Sequence, residues 1–229
     1  MIKHRSHWTC VNCLKPGEAG TNRPQIAGGE IRVLNLYAGI GGNRKHWRNV
    51  AVTAVELNPL VAAAYKKLYP EDTVIVGDAH KFLLKNFQNF DIIWSSPPCQ
   101  THSRMNYWTT LDKKRYPDLS MYSEILLLQN FFTGRWVVEN VDPYYIPLIP
   151  AQIKIGRHLF WSNKTIKPFE APEFPGLMDL SVVADKKRIM DWLDIHLDEN
   201  IYLSAKNPLQ VFRNCVHPSI GRSVFNDLL

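Results

Sequence analysis

Cys99 stands at the end of Ser95-Ser96-Pro97-Pro98-Cys99-Gln100, directly after the apolar run Phe90-Asp91-Ile92-Ile93-Trp94. Proline fixes its own φ and restricts the residue before it, so two in succession aim the thiol in a nearly predetermined direction. A nucleophile benefits from such a stiff turn at a strand end, whereas a cysteine that only packs does not. An ordinary thiol is a few per cent thiolate at neutral pH yet intrinsically reactive, so modest activation suffices. A second group of residues suits a nucleoside. The run Ile31 to Tyr37 stops at Ala38-Gly39-Ile40-Gly41-Gly42, where glycines let a backbone approach a ligand closely. Glu56 ends the next apolar run, where an acid can accept hydrogen bonds from both ribose hydroxyls, and Asp78 follows a third, where it can accept from an exocyclic amine.

These residues need a scaffold that brings strand ends together. Strand-like and helix-like segments alternate: strands over Ile31–Tyr37, Ala51–Glu56, Val74–Val76, Phe90–Trp94 and Arg135–Glu139, helices over Pro59–Tyr69 and Met121–Phe132, and a short turn and helix between the first two strands. This order predicts an α/β domain built on a mostly parallel sheet flanked by helices. Prolines 168, 172 and 175 then break the pattern. The expected organisation is an N-terminal extension over 1–30, a catalytic domain over 31–162, a small recognition lobe over 163–206 and a returning segment over 207–229.

With 229 residues the chain can bury a full core. Its net charge of +6 suits a phosphate-bearing partner without requiring one. The four cysteines are too few and scattered for a disulfide scaffold, and no apolar stretch reaches the length of a membrane span, so a soluble, intracellular protein is expected. The glycine turn is not a dinucleotide fingerprint, because Gly41-Gly42 is followed by Asn43-Arg44-Lys45, and no Gly-Lys-Ser/Thr of a P-loop follows. His4, His7, Cys10 and Cys13 are spaced so that a tetrahedral zinc knuckle could close, but the lone Cys-x-x-Cys has no distant second pair, and a loosely packed tail is the competing and preferred reading.

Taken in order, Leu36-Tyr37-Ala38-Gly39-Ile40-Gly41-Gly42, Val55-Glu56, Pro97-Pro98-Cys99-Gln100 with Ser103, and Glu139-Asn140-Val141 resemble the signature motifs of DNA cytosine-5 methyltransferases. Gly156-Arg157-His158-Leu159-Phe160-Trp161 and Asn214-Cys215-Val216-His217-Pro218 resemble two later motifs, and the compact size is similar to phage-encoded members, which implies the host cytoplasm and a restriction-modification setting. The resemblance implies a Rossmann-like S-adenosylmethionine-dependent methyltransferase fold. It implies methyl transfer to carbon 5 of a cytosine flipped out of double-stranded DNA, through a covalent bond from Cys99 to carbon 6. Glu139 would hold ring nitrogen 3, and Arg157 or His158 oxygen 2, although aligning on Phe160-Trp161 puts Gly156 and His158 where the family carries arginines. Tyr37, Ala38, Gly39, Gly41, Gly42, Glu56, Asp78, Pro97 and Asn214 would line the cofactor.

The loop from Gln100 to Pro117 mixes charges and aromatics and would close over the DNA with Gln100, Ser103, Arg104, Lys113, Lys114 and Arg115. The base that removes the carbon 5 proton is not identified, though water or hydroxyl near Gln100 or Ser103 would serve. Adenine amino-methyltransferases place an aromatic residue where Cys99 stands, and zinc deaminases need a His-x-Glu absent here, so both are disfavoured. A tRNA cytosine-5 methyltransferase of the same fold, and a catalytically inactive DNA-binding protein, remain as alternatives.

Overall fold

The computed structural model describes residues 29–104, 116–174, 182–203 and 207–229. Among them a seven-stranded sheet runs β3-β2-β1-β4-β5-β7-β6. Its strands are β1 (Ile31–Leu36), β2 (Val50–Glu56), β3 (Thr73–Val76), β4 (Ile92–Ser95), β5 (Arg135–Val141), β6 (Ile153–Ile155) and β7 (His158–Ser162). The first five are mutually parallel, and β7 inserts antiparallel between β5 and β6. The helices are α1 (Pro59–Leu68), α2 (Ala79–Asn86), α3 (Ser120–Phe131), α4 (Val182–Leu193), α5 (Gln210–Arg213) and α6 (Pro218–Leu228). This is a Rossmann-like α/β architecture, as expected.

Strand residues alternate between the two covered faces, as a period of two requires. Leu34, Leu36, Ile93, Val138, Leu159 and Trp161 pack with α2 and α3. Val33, Val52, Ile92, Trp94, Val137 and Phe160 pack against Trp47 and α6. Helix α1 starts cleanly because Asn58 accepts from the amides of Leu60 and Val61 and Pro59 occupies its first turn. Helix α4 packs with α5 and α1 through Ile189, Leu193, Val61, Ala64, Val211 and Phe212.

The helix expected between β1 and β2 is not formed. Successive tight turns replace it, with amide bonds from Gly41 to the Ala38 carbonyl, Arg44 to Gly41 and Trp47 to Arg44. Gly41 at φ +78° lies outside the right-handed helical region, which interrupts any helix there. An ion pair then fixes the segment. Arg44 is buried and holds buried Asp72 through Nε and Nη2, both at 2.8 Å, while Tyr65 Oη donates to the same carboxylate at 2.7 Å.

The chain runs from β1 outward to β3 and then returns to β4 on the other side of β1. The sheet therefore splits its crossover direction between β1 and β4, and ligands in open α/β sheets bind beyond the strand carboxyl ends at such a point. The glycine turn follows β1 and the cysteine turn follows β4.

Candidate active site

A cleft of about 950 Å³ lies over these strand ends. Tyr37, Ala38, Gly39, Gly42, Glu56, Asp78, Pro97, Cys99, Gln100, Ser103, Glu139, Arg157, His158 and Asn214 all line it. Residues dispersed over most of the chain converge because each sits at, or just past, the same edge of the sheet. Strand β7 contributes its beginning, since it runs antiparallel and His158 pairs with Val141.

One half of the cleft is built on the glycine turn. Gly39 has φ +55°, and a Cβ there would meet nothing within 4 Å, so its backbone faces open space. Its amide donates to Glu56 Oε2 at 3.0 Å, and the Asn58 amide to Oε1 at 2.9 Å. Each carboxylate oxygen therefore keeps a lone pair for a hydroxyl donor. Gly41 and Gly42 also meet a packing demand. A Cβ on Gly41 would fall 2.3 Å from Tyr69 Cε2, and one on Gly42 would fall 2.5 Å from the Val216 carbonyl. Gly42 lines the cleft as well, whereas Gly41, whose carbonyl accepts from Tyr69 Oη at 2.7 Å, is not part of the cleft wall. Asp78 caps α2 by accepting from the Lys81 amide at 3.0 Å, and that bond holds its carboxyl below the usual range.

A buried carboxylate missed in the sequence underpins this half. Glu124 of α3 is fully buried and accepts from Tyr37 Oη at 2.6 Å and Ser95 Oγ at 2.7 Å, with His80 Nδ1 at 2.9 Å. The hydrogen bond to Glu124 raises the His80 pKa. Tyr37 itself has φ +55°, a conformation a bulky residue keeps only when its surroundings over-determine it. The signal available beforehand was an acid on the apolar face of α3, between Met121 and Leu128.

The other half of the cleft centres on Cys99 and Glu139. Cys99 opens a single turn of 3₁₀ helix over Cys99–Thr101, and its carbonyl accepts from the amides of His102 at 3.0 Å and Ser103 at 2.8 Å. Burial raises the thiol pKa, Glu139 adds to that, and the Arg157 guanidinium opposes it. Glu139 is buried in β5, and burial lifts its carboxyl to about 7 against the opposing Ser96 hydrogen bond and Arg157 charge. At neutral pH it is a substantially protonated acid, able to donate a hydrogen bond. Asn140 ties the two strand ends together, its side-chain amide donating to the Pro97 carbonyl at 2.9 Å.

His158 Nε2 lies 3.7 Å from Glu139 Oε1, but burial pushes the imidazole down to about 3. The contact is therefore between a neutral ring and a largely neutral acid, not an ion pair. Arg157, by contrast, is exposed, reaches the Arg213 carbonyl and stacks on Phe174 with its Cζ 5.2 Å from the ring centre. Of the two, Arg157 supplies the positive charge of the cleft.

The residues expected to grip nucleic acid are only partly gathered. Gln100 and Ser103 reach the cleft, while Arg104 lies outside its wall and pairs with Asp142 at 2.7 Å. Lys113, Lys114 and Arg115 lie outside the described residues, as do His4, His7, Cys10 and Cys13. In the basic cluster of α4, Lys186 is committed to the carbonyls of Asp198 and Glu199 and to Asn200 Oδ1. No helix among the described residues is long and apolar enough to cross a membrane.

The chain is similar in sequence to known proteins. A human tRNA (cytosine(38)-C(5))-methyltransferase is 32% identical over 82 residues, covering 33% of this chain and 21% of that protein. Its mouse counterpart is 32% identical over 123 residues, covering 51% and 30%. A solved DNMT2 from Spodoptera frugiperda overlays with a TM-score of 0.35 at 27% identity, over 49% of this chain and 36% of that one. The matched stretches thus span about a fifth to a third of the curated relatives. Residues 31–143, from the first strand through Cys99 and Glu139, match the model of the C-5 cytosine-specific DNA methylases, and together with these relatives that match supports the cytosine-C5 methyltransferase family.

Proposed function

We propose that this chain transfers a methyl group from S-adenosylmethionine to carbon 5 of a cytosine flipped out of double-stranded DNA. The observation that carries the reading is the opening of the Cys99 thiol and the protonated Glu139 carboxyl into one cleft with the Gly39–Glu56 turn. When bound, S-adenosylmethionine supplies an electrophilic methyl group. Gly39 offers it backbone access, Glu56 two carboxylate lone pairs for the ribose hydroxyls, and Asp78 an acceptor toward the adenine amine.

Cys99 passes its proton to solvent water as the base enters, and its thiolate sulfur adds to carbon 6. The electrons of the 5,6 double bond move onto carbon 5, which can then take up the methyl group. Negative charge that builds on the ring is drained by the proton Glu139 presents to nitrogen 3, a task for which its raised pKa suits it. Arg157, the exposed cation of the cleft, faces oxygen 2 and favours the thiolate. Loss of the carbon 5 proton then expels the Cys99 sulfur and restores the double bond. Gln100 and Ser103 stand beside the cysteine, where a water could be held to receive that proton.

A second reading, methylation of tRNA, is favoured by the names of the curated relatives. The catalytic parts of the cleft are ones that both substrates would need alike. The test incubates labelled S-adenosylmethionine with the protein and either duplex DNA or tRNA, comparing wild type with Cys99→Ser. Cysteine-dependent label on carbon 5 of DNA cytosine, and a denaturation-resistant adduct with 5-fluorocytosine DNA, are expected. Label in tRNA alone would transfer the proposal to the second reading. Cofactor binding without transfer to either would leave a catalytically inactive nucleic-acid-binding protein.

A further inference from the structure

The reaction above leaves one polar chain beside the nucleophile unused. His102, three residues after Cys99, is buried, and its Nδ1 lies 2.5 Å from Tyr145 Oη. Tyr122 Oη of α3 donates to Tyr145 Oη at 3.3 Å and accepts from the Leu148 amide at 3.2 Å. Leu148 N–H, Tyr122 Oη, Tyr145 Oη and His102 Nδ1 thus form one continuous polar chain, in which each hydroxyl can both donate and accept.

The backbone is stitched at the same place. The Tyr144 amide donates to the His102 carbonyl at 3.1 Å, and Ser103 forms a bridge with Pro143. The amides of His102 and Ser103 in turn both hold the Cys99 carbonyl. The cysteine turn is thereby fastened to the segment that leaves β5 just past Glu139. Resting on the methyl-transfer reading, we propose that His102 is a positioning residue which, through Tyr145, fixes the Cys99 turn against the Glu139 strand so that thiol and carboxyl meet one base.

The groups facing His102 among the described residues are Cys99 on its own turn, Asp118 before α3, Tyr122 on α3, and Tyr144 and Tyr145 after β5. Burial lowers the His102 pKa against the opposing charge of Asp118, so the ring is neutral at neutral pH.

The test follows Cys99 alkylation by iodoacetamide, located on its peptide by mass spectrometry, together with single-turnover methyl transfer. Wild type is compared with Tyr145→Phe, His102→Phe and His102→Asn, whose side-chain amide can still bond the Tyr145 hydroxyl. Tyr145→Phe and His102→Phe should slow transfer about 10- to 100-fold, the scale of a ~1 Å misplacement, with cofactor Kd unchanged. His102→Asn should retain most of the rate. Wild-type rates in Tyr145→Phe, or a loss in His102→Asn as large as in His102→Phe, would overturn the proposal. If the Phe variants fail to fold, His102→Ala takes their place under the same two outcomes. Should wild type methylate nothing, the reaction reading fails, while a change in Cys99 alkylation in these variants would still uphold the positioning role and no change would overturn it.

Discussion

Burial of Glu139 makes the stability of this protein depend on pH in the sense opposite to most carboxylates. Its carboxyl is lifted from 4.5 to about 7 in the fold, roughly 2.5 units, and at about 1.36 kcal/mol per unit the ionised form costs on the order of 3 kcal/mol. Below pH ~4.5 the group is protonated whether folded or unfolded and contributes no difference. Between ~4.5 and ~7 the unfolded chain releases the proton and the native state keeps it, so stability falls as pH rises, and the loss is complete above ~7. Glu139→Gln is a neutral isostere that escapes this loss. Relative to wild type it should gain about 3 kcal/mol between pH 4 and pH 8, which for a chain of this size is a relative Tm gain of about 6–12 °C. Urea and thermal unfolding of both proteins at half-unit pH steps measure it. A difference independent of pH, or one that shrinks as pH rises, would refute the reasoning about burial and, with it, the claim that Glu139 is an acid at neutral pH. The same substitution should lower methyl transfer by about 10²-fold or more, and the wild-type rate should decline as pH rises through about 7.

Three further perturbations probe the cofactor half. Gly41→Ala places a Cβ against the Tyr69 ring at a left-handed φ and should cost about 2–5 kcal/mol in urea unfolding, whereas Gly39→Ala, with open space, should cost only the ~1–2 kcal/mol of its φ while weakening cofactor binding. Asp72→Asn leaves the buried Arg44 only the exposed Glu71 as countercharge and should cost about 3–5 kcal/mol, against under ~1 kcal/mol for Arg104→Ala at the exposed Asp142 pair, both read by urea unfolding. Glu56→Gln keeps one acceptor for the backbone amides but removes the charge, so the calorimetric Kd for S-adenosylmethionine should rise about tenfold or more with little change in Tm.

Much of this site was legible in the chain because its chemistry is local. The Pro97-Pro98-Cys99 turn, the glycines after β1 and the acids at strand ends each owe their place to a neighbouring apolar run, and that pattern survives in one dimension. Strand alternation likewise announced a parallel sheet with helices on both faces, and with it the edge where Glu56, Cys99 and Glu139 meet. What pattern could not resolve were contacts between distant segments. The helix expected before β2 yields to turns because Gly41 must clear the rings of Tyr65 and Tyr69, which belong to the α1 segment. Glu124 reads as one acid on an apolar helix until Tyr37, Ser95 and His80 are brought to it from three other elements. Residue identity alone determined which groups can act as nucleophile, acid and ribose acceptor. Their protonation states were decided by the fold, since the pKa values of Cys99, Glu139, His102 and His158 follow from burial, and burial exists only once the sheet and its covering segments have closed around them.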